Sequence, residues 1–288
     1  MIPGSVKPAS GETVNPWKTA QLDFARQQEI CGLEKGGNSM AQNMETDREE
    51  KIEKFLDMVK RSDNIVFFGG AGVSTESGIP DFRSVDGLYN QEYDYPPETI
   101  LSHTFYRRNT QEFYRFYRNK MLCLTAEPNM AHKKLAELEA AGKVKAVITQ
   151  NIDGLHQLAG SKKVLELHGS VHRNYCESCH QFYDAEYILN SEGVPHCESC
   201  GGEIKPDVVL YEEGLNNQTI QEAVYYISQA DMLIIGGTSL AVYPAAGLVD
   251  YYQGNQLVLV NKSATPRDGM ADLILQESIG ELFGKIIV

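Results

Sequence analysis

The run from Ile65 to Arg83, Ile-Val-Phe-Phe-Gly-Gly-Ala-Gly-Val-Ser-Thr-Glu-Ser-Gly-Ile-Pro-Asp-Phe-Arg, constrains the fold more than any other stretch. Ile65 to Phe68 are apolar and mostly β-favouring, which predicts a buried strand. Gly69, Gly70 and Gly72 follow at once, and glycine there lets the backbone turn tightly and approach a phosphate with free N–H donors. The run therefore reads as the strand-to-turn element of a Rossmann-type sheet. It departs from the dehydrogenase fingerprint, because Thr75 stands where the third glycine of G-x-G-x-x-G belongs. Ser74, Thr75 and Ser77 add hydroxyls, Pro80 blocks a helix, and Asp81-Phe82-Arg83 sets acid, ring and cation side by side. On these residues alone a glycine-rich turn without a ligand remains the competing reading.

The rest of the chain repeats short apolar strands between helical segments. Strands are expected at Val144 to Thr149, Val164 to Leu167, from Asp207 to Tyr211, Met232 to Ile235 and Leu257 to Val260. Helices are expected at Gln111 to Leu124, Ala131 to Ala141 (with Gly142 as its C′ residue), near Thr219 to Gln229, and from Pro244. Ala271 to Leu275 and a last amphipathic helix complete the chain. This alternation predicts an α/β fold, a Rossmann-like doubly wound parallel sheet. A smaller lobe is inserted in two pieces, an aromatic helical segment over residues 84–130 and a cysteine-bearing segment over residues 171–205. Residues 1–44 read as an N-terminal extension ahead of a catalytic domain over residues 45–288. Within the extension Trp17 to Leu33 fits a short helix and Met40 to Met44 a linker. Order is expected from Thr46, which pairs with Glu49 as a capping box ahead of Ile52, Phe55, Leu56 and Val59 on one helical face.

Four of the six cysteines form two pairs, Cys176-x-x-Cys179 and Cys197-x-x-Cys200, with seventeen residues between them. Two such knuckles supply four thiolates, which close a tetrahedral zinc shell with no open position, so the zinc is structural. Unpaired thiols or two local disulfides are the other readings of the same spacing. His172, His180 and His196 lie nearby but a four-thiolate shell leaves them at the surface, and Cys31 and Cys123 are left as structural residues. The 288-residue chain carries a net charge of −13, which argues against nucleic-acid or anionic-membrane partners. No apolar run reaches the ~18 residues a membrane span needs. No secretory signal is visible, and the paired cysteines suit a reducing compartment, the cytoplasm.

Two polar groups end strands on the side where an open α/β sheet binds ligands. Gln150-Asn151-Ile152-Asp153 follows one strand and His168-Gly169-Ser170 another. Alone, the first reads as a turn with Asx caps and the second as a hydrogen-bonded histidine. Beside the glycine run they read as reactive groups in a cleft, and His168 is the side chain best suited to proton transfer near neutral pH.

Taken together these motifs resemble the sirtuin family. The signature G-A-G-x-S-x-x-S-G-I-P-D-F-R is matched in full from Gly70 to Arg83. T-Q-N-I-D is matched at Thr149 to Asp153, H-G at His168-Gly169, G-T-S-L at Gly237 to Leu240, and V-N at Val260-Asn261. The resemblance spans Thr46 to Val288. It implies NAD-dependent removal of acetyl groups from the lysines of proteins or peptides, giving nicotinamide, O-acetyl-ADP-ribose and free lysine, with NAD and Zn2+ as cofactors. A protein ADP-ribosyltransferase on the same fold and a non-catalytic NAD sensor are the alternatives. His168, Asn151 and Asp153 would be catalytic, with His168 the base for a ribose hydroxyl. Asp153 and the backbone of Ile152 would hold the nicotinamide, Asn151 the ribose hydroxyls or a water, and Gln150 would belong to the same cofactor site. Phe82 would cover C1′, and Arg83, Thr75 and the Gly70-Ala71-Gly72 turn would take phosphate. Gly237, Thr238, Ser239, Asn261 and Lys262 would serve the phosphate and adenosine side. Val209, Leu210 and Tyr211 would bind substrate peptide by strand addition. Two departures stand out: Gly69 replaces the common Thr, and Tyr211-Glu212-Glu213 replaces the common Phe-Gly-Glu. In sirtuins that remove succinyl or malonyl groups, a Tyr-x-x-Arg pair binds the distal carboxylate. Aligned through Glu112-Phe113-Tyr114, the tyrosine falls at Tyr114 and the arginine at Tyr117, which favours neutral acyl groups. Oligomeric state is not legible.

Overall fold

The computed structural model describes residues 34–82, 87–88 and 95–288. Its strands are β1 (Ile65–Gly69), β2 (Val144–Thr149), β3 (Val164–Glu166), β4 (Gly169–Cys176), β5 (Phe182–Tyr183), β6 (Ile204–Val208), β7 (Met232–Gly236), β8 (Leu257–Val260) and β9 (Leu273–Leu275). Six of them form one sheet in the order β3-β2-β1-β7-β8-β9, every neighbouring pair parallel. All five residues of β1 and of β7 are buried. That burial explains their unbroken apolar sequences, since a parallel strand covered on both faces has no polar side. Ile65 and Phe67 point into a core shared with Phe55, Leu135 and Phe283, while Val66 and Phe68 point into the opposite one with Ile227, Ile235 and Leu248. The Phe67 ring meets Phe283 edge-on at 5.9 Å, and burying such a ring contributes about 2–3 kcal/mol. From β1 the chain builds outward through β2 and β3 on one side, then through β7 to β9 on the other. The order reverses between β1 and β7, so the carboxyl ends at Gly69 and Gly236 flank the switch-point crevice where such sheets bind ligands.

The second sheet is antiparallel, in the order β5-β4-β6. Its inner face and the helix Thr110–Lys120 share one aromatic core, in which Phe113, Tyr114, Phe116 and Tyr117 pack with Val171, Tyr183, Ile188 and Ile204. Phe113 and Tyr117 stack at 5.5 Å, and the Tyr114 hydroxyl donates to the carbonyl of Ile204.

Several expectations change. The segment to Tyr211 is not a strand of the parallel sheet: β6 ends at Val208 and pairs with β4, and Tyr211 forms an isolated parallel bridge with Ser102. The helix from Pro244 is a 3-10 helix, Ala245–Tyr251. The described chain divides into two units, one ending at Glu50 and the other running Lys51–Val288. One helix spans Glu34–Arg61. Met40 to Met44 are therefore helical rather than a linker, and Thr46 lies inside the helix rather than at its N-terminus. No glycine or proline occurs from Asn38 to Arg61, and a threonine inside a helix costs only a few tenths of a kcal/mol. The expected stripe does bury Ile52, Phe55 and Val59. Trp17 to Leu33, Cys31 and Arg83 lie outside the described residues.

Candidate active site and metal centre

Two glycine turns interlock at the switch point. The N–H of Gly70 donates to the Gly236 carbonyl (3.2 Å) and that of Gly72 to the Gly237 carbonyl (2.8 Å). A Cβ on Gly72 would lie 2.8 Å from the Gly237 Cα, and one on Gly237, whose φ is +59°, would lie 2.3 Å from the Val73 nitrogen. No side chain fits either position, so these glycines first serve to bring two strand ends together. No α-helix occurs from Gly70 to Phe82, the described residues directly after β1. The chain takes two 3-10 turns, Ala71–Val73 and Thr75–Ser77, and leaves through Gly78 at φ +83°. The Thr75 hydroxyl donates to the Gly72 carbonyl (3.0 Å).

The residues after β2 close against this turn. The Ser74 hydroxyl donates to Oδ2 of Asp153 (2.7 Å) and accepts from Nδ2 of Asn151 (3.0 Å). Asp153 also receives the Leu155 N–H at Oδ1 (2.9 Å), so both carboxylate oxygens are fixed. Asn151 is buried, and the Gln150 amide donates to Thr238 Oγ1 (3.0 Å), which links the β2 end to the β7 end. Ile152 packs against the aromatic core, and its carbonyl accepts from the Val171 N–H (3.0 Å). Phe82 packs there too. Ser74 had been legible only as one hydroxyl of the glycine run. It joins Asn151 and Asp153, some 80 positions on, a link no local pattern contains.

His168 is partly buried, and its Nδ1 lies 2.9 Å from the Gln150 carbonyl. A carbonyl only accepts, so Nδ1 carries the proton and Nε2 keeps its lone pair. Burial holds the imidazole below its ordinary pKa, partly offset by the Gln150 bond. The result is a neutral ring with a free basic nitrogen. His172 is exposed as expected, yet its Nε2 sits 2.9 Å from the Asp153 carbonyl.

Across the crevice Asn261 brackets Thr238: its Oδ1 accepts the Thr238 N–H (3.0 Å) and its Nδ2 donates to the Thr238 carbonyl (2.7 Å). Ser239 and Lys262 are exposed at the same end of the sheet. On the small-lobe side the Val209 N–H donates to the His168 carbonyl (3.0 Å), Leu210 is buried and Tyr211 is exposed. Glu212 has φ +76°, a left-handed backbone that costs a non-glycine residue about 1–3 kcal/mol. This is the physical reason for the glycine common at that place. Glu212 offsets part of the cost by accepting the Thr104 N–H (2.9 Å) in the first turn of the helix His103–Arg108, which also lowers its carboxyl pKa.

The four cysteines converge. Their Sγ atoms all lie within 4.8 Å of one another, with Cys176–Cys200 at 3.4 Å and Cys179–Cys197 at 3.5 Å. Zinc with about 2.3 Å Zn–S bonds sets sulfurs about 3.8 Å apart, so the cage is of the size that ion takes. The knuckles repeat one turn. The His180 N–H donates to the Cys176 carbonyl (2.9 Å) and the Gly201 N–H to the Cys197 carbonyl (2.8 Å), at φ +61° and +73°. The Tyr183 hydroxyl donates to the Cys197 sulfur (3.1 Å), which helps hold it as a thiolate.

The parallel sheet with its β1/β7 crevice, glycine turns and antiparallel cysteine lobe define a Rossmann-type protein carrying a zinc ribbon. The profile of the Sir2 family matches residues 70–244. The chain is 59% identical over 242 residues to an NAD-dependent protein deacetylase of Clostridium perfringens (strain 13 / Type A), covering 83% of this chain and 99% of that protein. A protein of the same name from Cutibacterium acnes (strain DSM 16379 / KPA171202) is 50% identical over 236 residues, covering 81% and 96%. Among solved structures, one described as "Sir2-p53 peptide-NAD+" superposes with a TM-score of 0.72 at 42% identity, covering 81% of this chain and 95% of that one. Another, with deacetylated p53 peptide and 3'-O-acetyl ADP ribose, gives 0.75 at 41% identity and the same coverage. This chain belongs to the Sir2 family.

Proposed function

We propose that this protein removes acetyl groups from protein lysines in an NAD-dependent reaction, releasing nicotinamide, O-acetyl-ADP-ribose and free lysine. The observation that carries the reading is His168. It is a neutral imidazole with Nδ1–H committed to the Gln150 carbonyl and Nε2 free, set beside the turn that joins Ser74 to Asn151 and Asp153. The relatives named NAD-dependent protein deacetylase, and the Sir2 complexes with NAD+ and with deacetylated peptide, support it.

NAD supplies a bond between nicotinamide and ribose C1′ whose cleavage, as the acyl oxygen takes nicotinamide's place, drives the transfer. Asp153, with Gln150 and the Ile152 backbone, holds the nicotinamide amide, and Asn151 orients the ribose hydroxyls or a water. His168 Nε2 takes the proton from the hydroxyl that becomes the acyl acceptor. Phe82 shields C1′ from water, and Gly70, Ala71, Gly72, Thr75 and Arg83 bind phosphate. Gly237, Thr238, Ser239, Asn261 and Lys262 receive the rest of the dinucleotide. Val209, Leu210 and Tyr211 offer backbone to the substrate peptide as an added strand. Zinc in the Cys176, Cys179, Cys197 and Cys200 cage supports the small lobe and takes no part in the chemistry. Among the described residues no helix is long and apolar enough to cross a membrane, and the cytoplasmic assignment rests on the paired cysteines suiting a metal and a reducing compartment. Nicotinamide release is the test. Release that requires acetyl-lysine peptide supports deacetylation, whereas release without peptide, or none at all, refutes it.

A further inference from the structure

A Rossmann turn is ordinarily held by the helix that follows it, and the described residues from Gly70 to Phe82 contain none. Between Ala71 and Ser77 the chain has two three-residue 3-10 turns, elements too short to be stable alone. Their own bonds, such as Val73 N–H to Gly70 O (3.0 Å) and Ser77 N–H to Ser74 O (3.0 Å), close the turns without anchoring them to the body of the protein. Besides the Gly72 bond to Gly237 and the Ser74 bonds to Asp153 and Asn151, side-chain contacts with two further elements hold them. Glu76 Oε1 accepts the Gly280 N–H (2.8 Å) at the start of the C-terminal helix Ile279–Phe283. On the other side, Asn129 Nδ2 donates to the Val73 carbonyl (2.7 Å) and to the Ser77 hydroxyl (3.0 Å). Val73 and Ser77 bracket Ser74, which bonds both Asp153 and Asn151.

We infer that Asn129 is a positioning residue for the NAD site, acting through Val73 and Ser77 to fix Ser74 and, with it, Asn151 and Asp153. The inference rests on the NAD-dependent reading above. Asn129 is a rigid post. It is the N-cap of the helix Met130–Ala140, where its Oδ1 accepts the Ala131 N–H (2.9 Å) and its backbone N–H donates to Nδ1 of His132 (3.3 Å). That helix is seated by Ala131, Leu135 and Leu138, all fully buried. The Val73 carbonyl can only accept, so the amide orientation is settled and both jobs are done at once. One oxygen caps the helix and one nitrogen holds the turn.

The two jobs separate by substitution. Asn129→Asp keeps an N-cap oxygen but loses the N–H donors and sets negative charge against the Val73 carbonyl. Asn129→Ala loses both functions. Three quantities are measured on the full-length, zinc-loaded protein: NAD affinity by titration calorimetry, the separate KM values for NAD and acetyl-lysine peptide, and thermal stability. In the Asp variant NAD affinity is expected to fall about tenfold and KM for NAD to rise to match. Peptide KM should stay within about twofold and Tm within a few degrees of wild type. Asn129→Ala should show the same NAD defect plus a lower Tm, and Ser77→Ala a smaller NAD defect. Wild-type NAD affinity in the Asp variant overturns the inference, whatever its Tm, and so does a loss confined to Tm. If the wild type binds NAD without peptide-dependent turnover, the deacetylase reading fails while the affinity comparison still decides the role of Asn129. A wild type that does not bind NAD refutes both.

Discussion

His132 and His156 form a pair that should make this protein acid-sensitive, and His156→Leu should relieve part of that sensitivity. The two rings lie 4.7 Å apart, 0% and 1% exposed, with His156 also 6.1 Å from Phe67. Neither nitrogen of His156 has a hydrogen-bond partner among the described residues, and His132 has none at Nε2. Burial holds both pKa values below the ordinary 6.5. His132 lowers His156 further, while the charge of Asp153 partly offsets the effect on His132. Both histidines therefore stay neutral in the fold while the unfolded chain takes up protons below pH 6.5. Their contribution to stability is present above that pH and is lost as pH falls. For a histidine that stays neutral, moving from pH 7 to pH 5.5 costs about 1.2 kcal/mol. Leucine has nearly the same volume and leaves no unpaired nitrogen, so His156→Leu should match or exceed wild-type stability at pH 7. Between pH 7 and pH 5.5 its Tm should fall less than that of wild type, by about 2–5 °C, given about 2–4 °C per kcal/mol for a unit of this size. Scanning fluorimetry of both proteins at the two pH values provides the measurement. Identical Tm decrements would show that His156 protonates in place and that the burial argument is wrong.

His168→Ala should lower deacetylation by about 100-fold or more while NAD still binds by calorimetry, and near-wild-type turnover would remove the base assignment. Because burial depresses its pKa, the acid limb of wild-type kcat/KM should lie below pH 6.5, activity falling as the pH drops and Nε2 takes a proton. Cys200→Ser should release zinc and lower Tm, since the ion's binding energy is part of the folding energy, and active protein without zinc by metal analysis would dismiss the site. Tyr117 is fully buried and its hydroxyl has no partner among the described residues, a poor place for a carboxylate, so kcat/KM for an acetyl-lysine peptide should exceed that for the matched succinyl peptide. Tyr117→Arg should narrow that gap, and a wild type faster on succinyl would refute the pocket argument.

What the sequence determined by itself were features whose causes are local. The apolar run Ile65 to Phe68, the alternation of strands and helices, and two C-x-x-C knuckles were legible because burial, periodicity and thiolate spacing act within a few residues. The Gly70 to Arg83 signature and the H-G and Q-N-I-D motifs likewise pointed to the crevice before any contact was known. Tertiary structure alone decided what those residues do to one another. Gly72 and Gly237 are 165 positions apart, and only the β1–β7 pairing shows that each excludes a Cβ on the other. No local pattern reveals the bridge from the Ser74 hydroxyl to Asp153 and Asn151, and nothing in the sequence marks Asn129 before Val73 and Ser77 are folded against it. The continuous helix through Thr46 shows the converse limit. A capping-box pattern is only permissive, and it yields when the chain before it is already helical. Hydrogen bonds between distant segments depend on where the sheet brings its strand ends, and that placement is a property of the whole core.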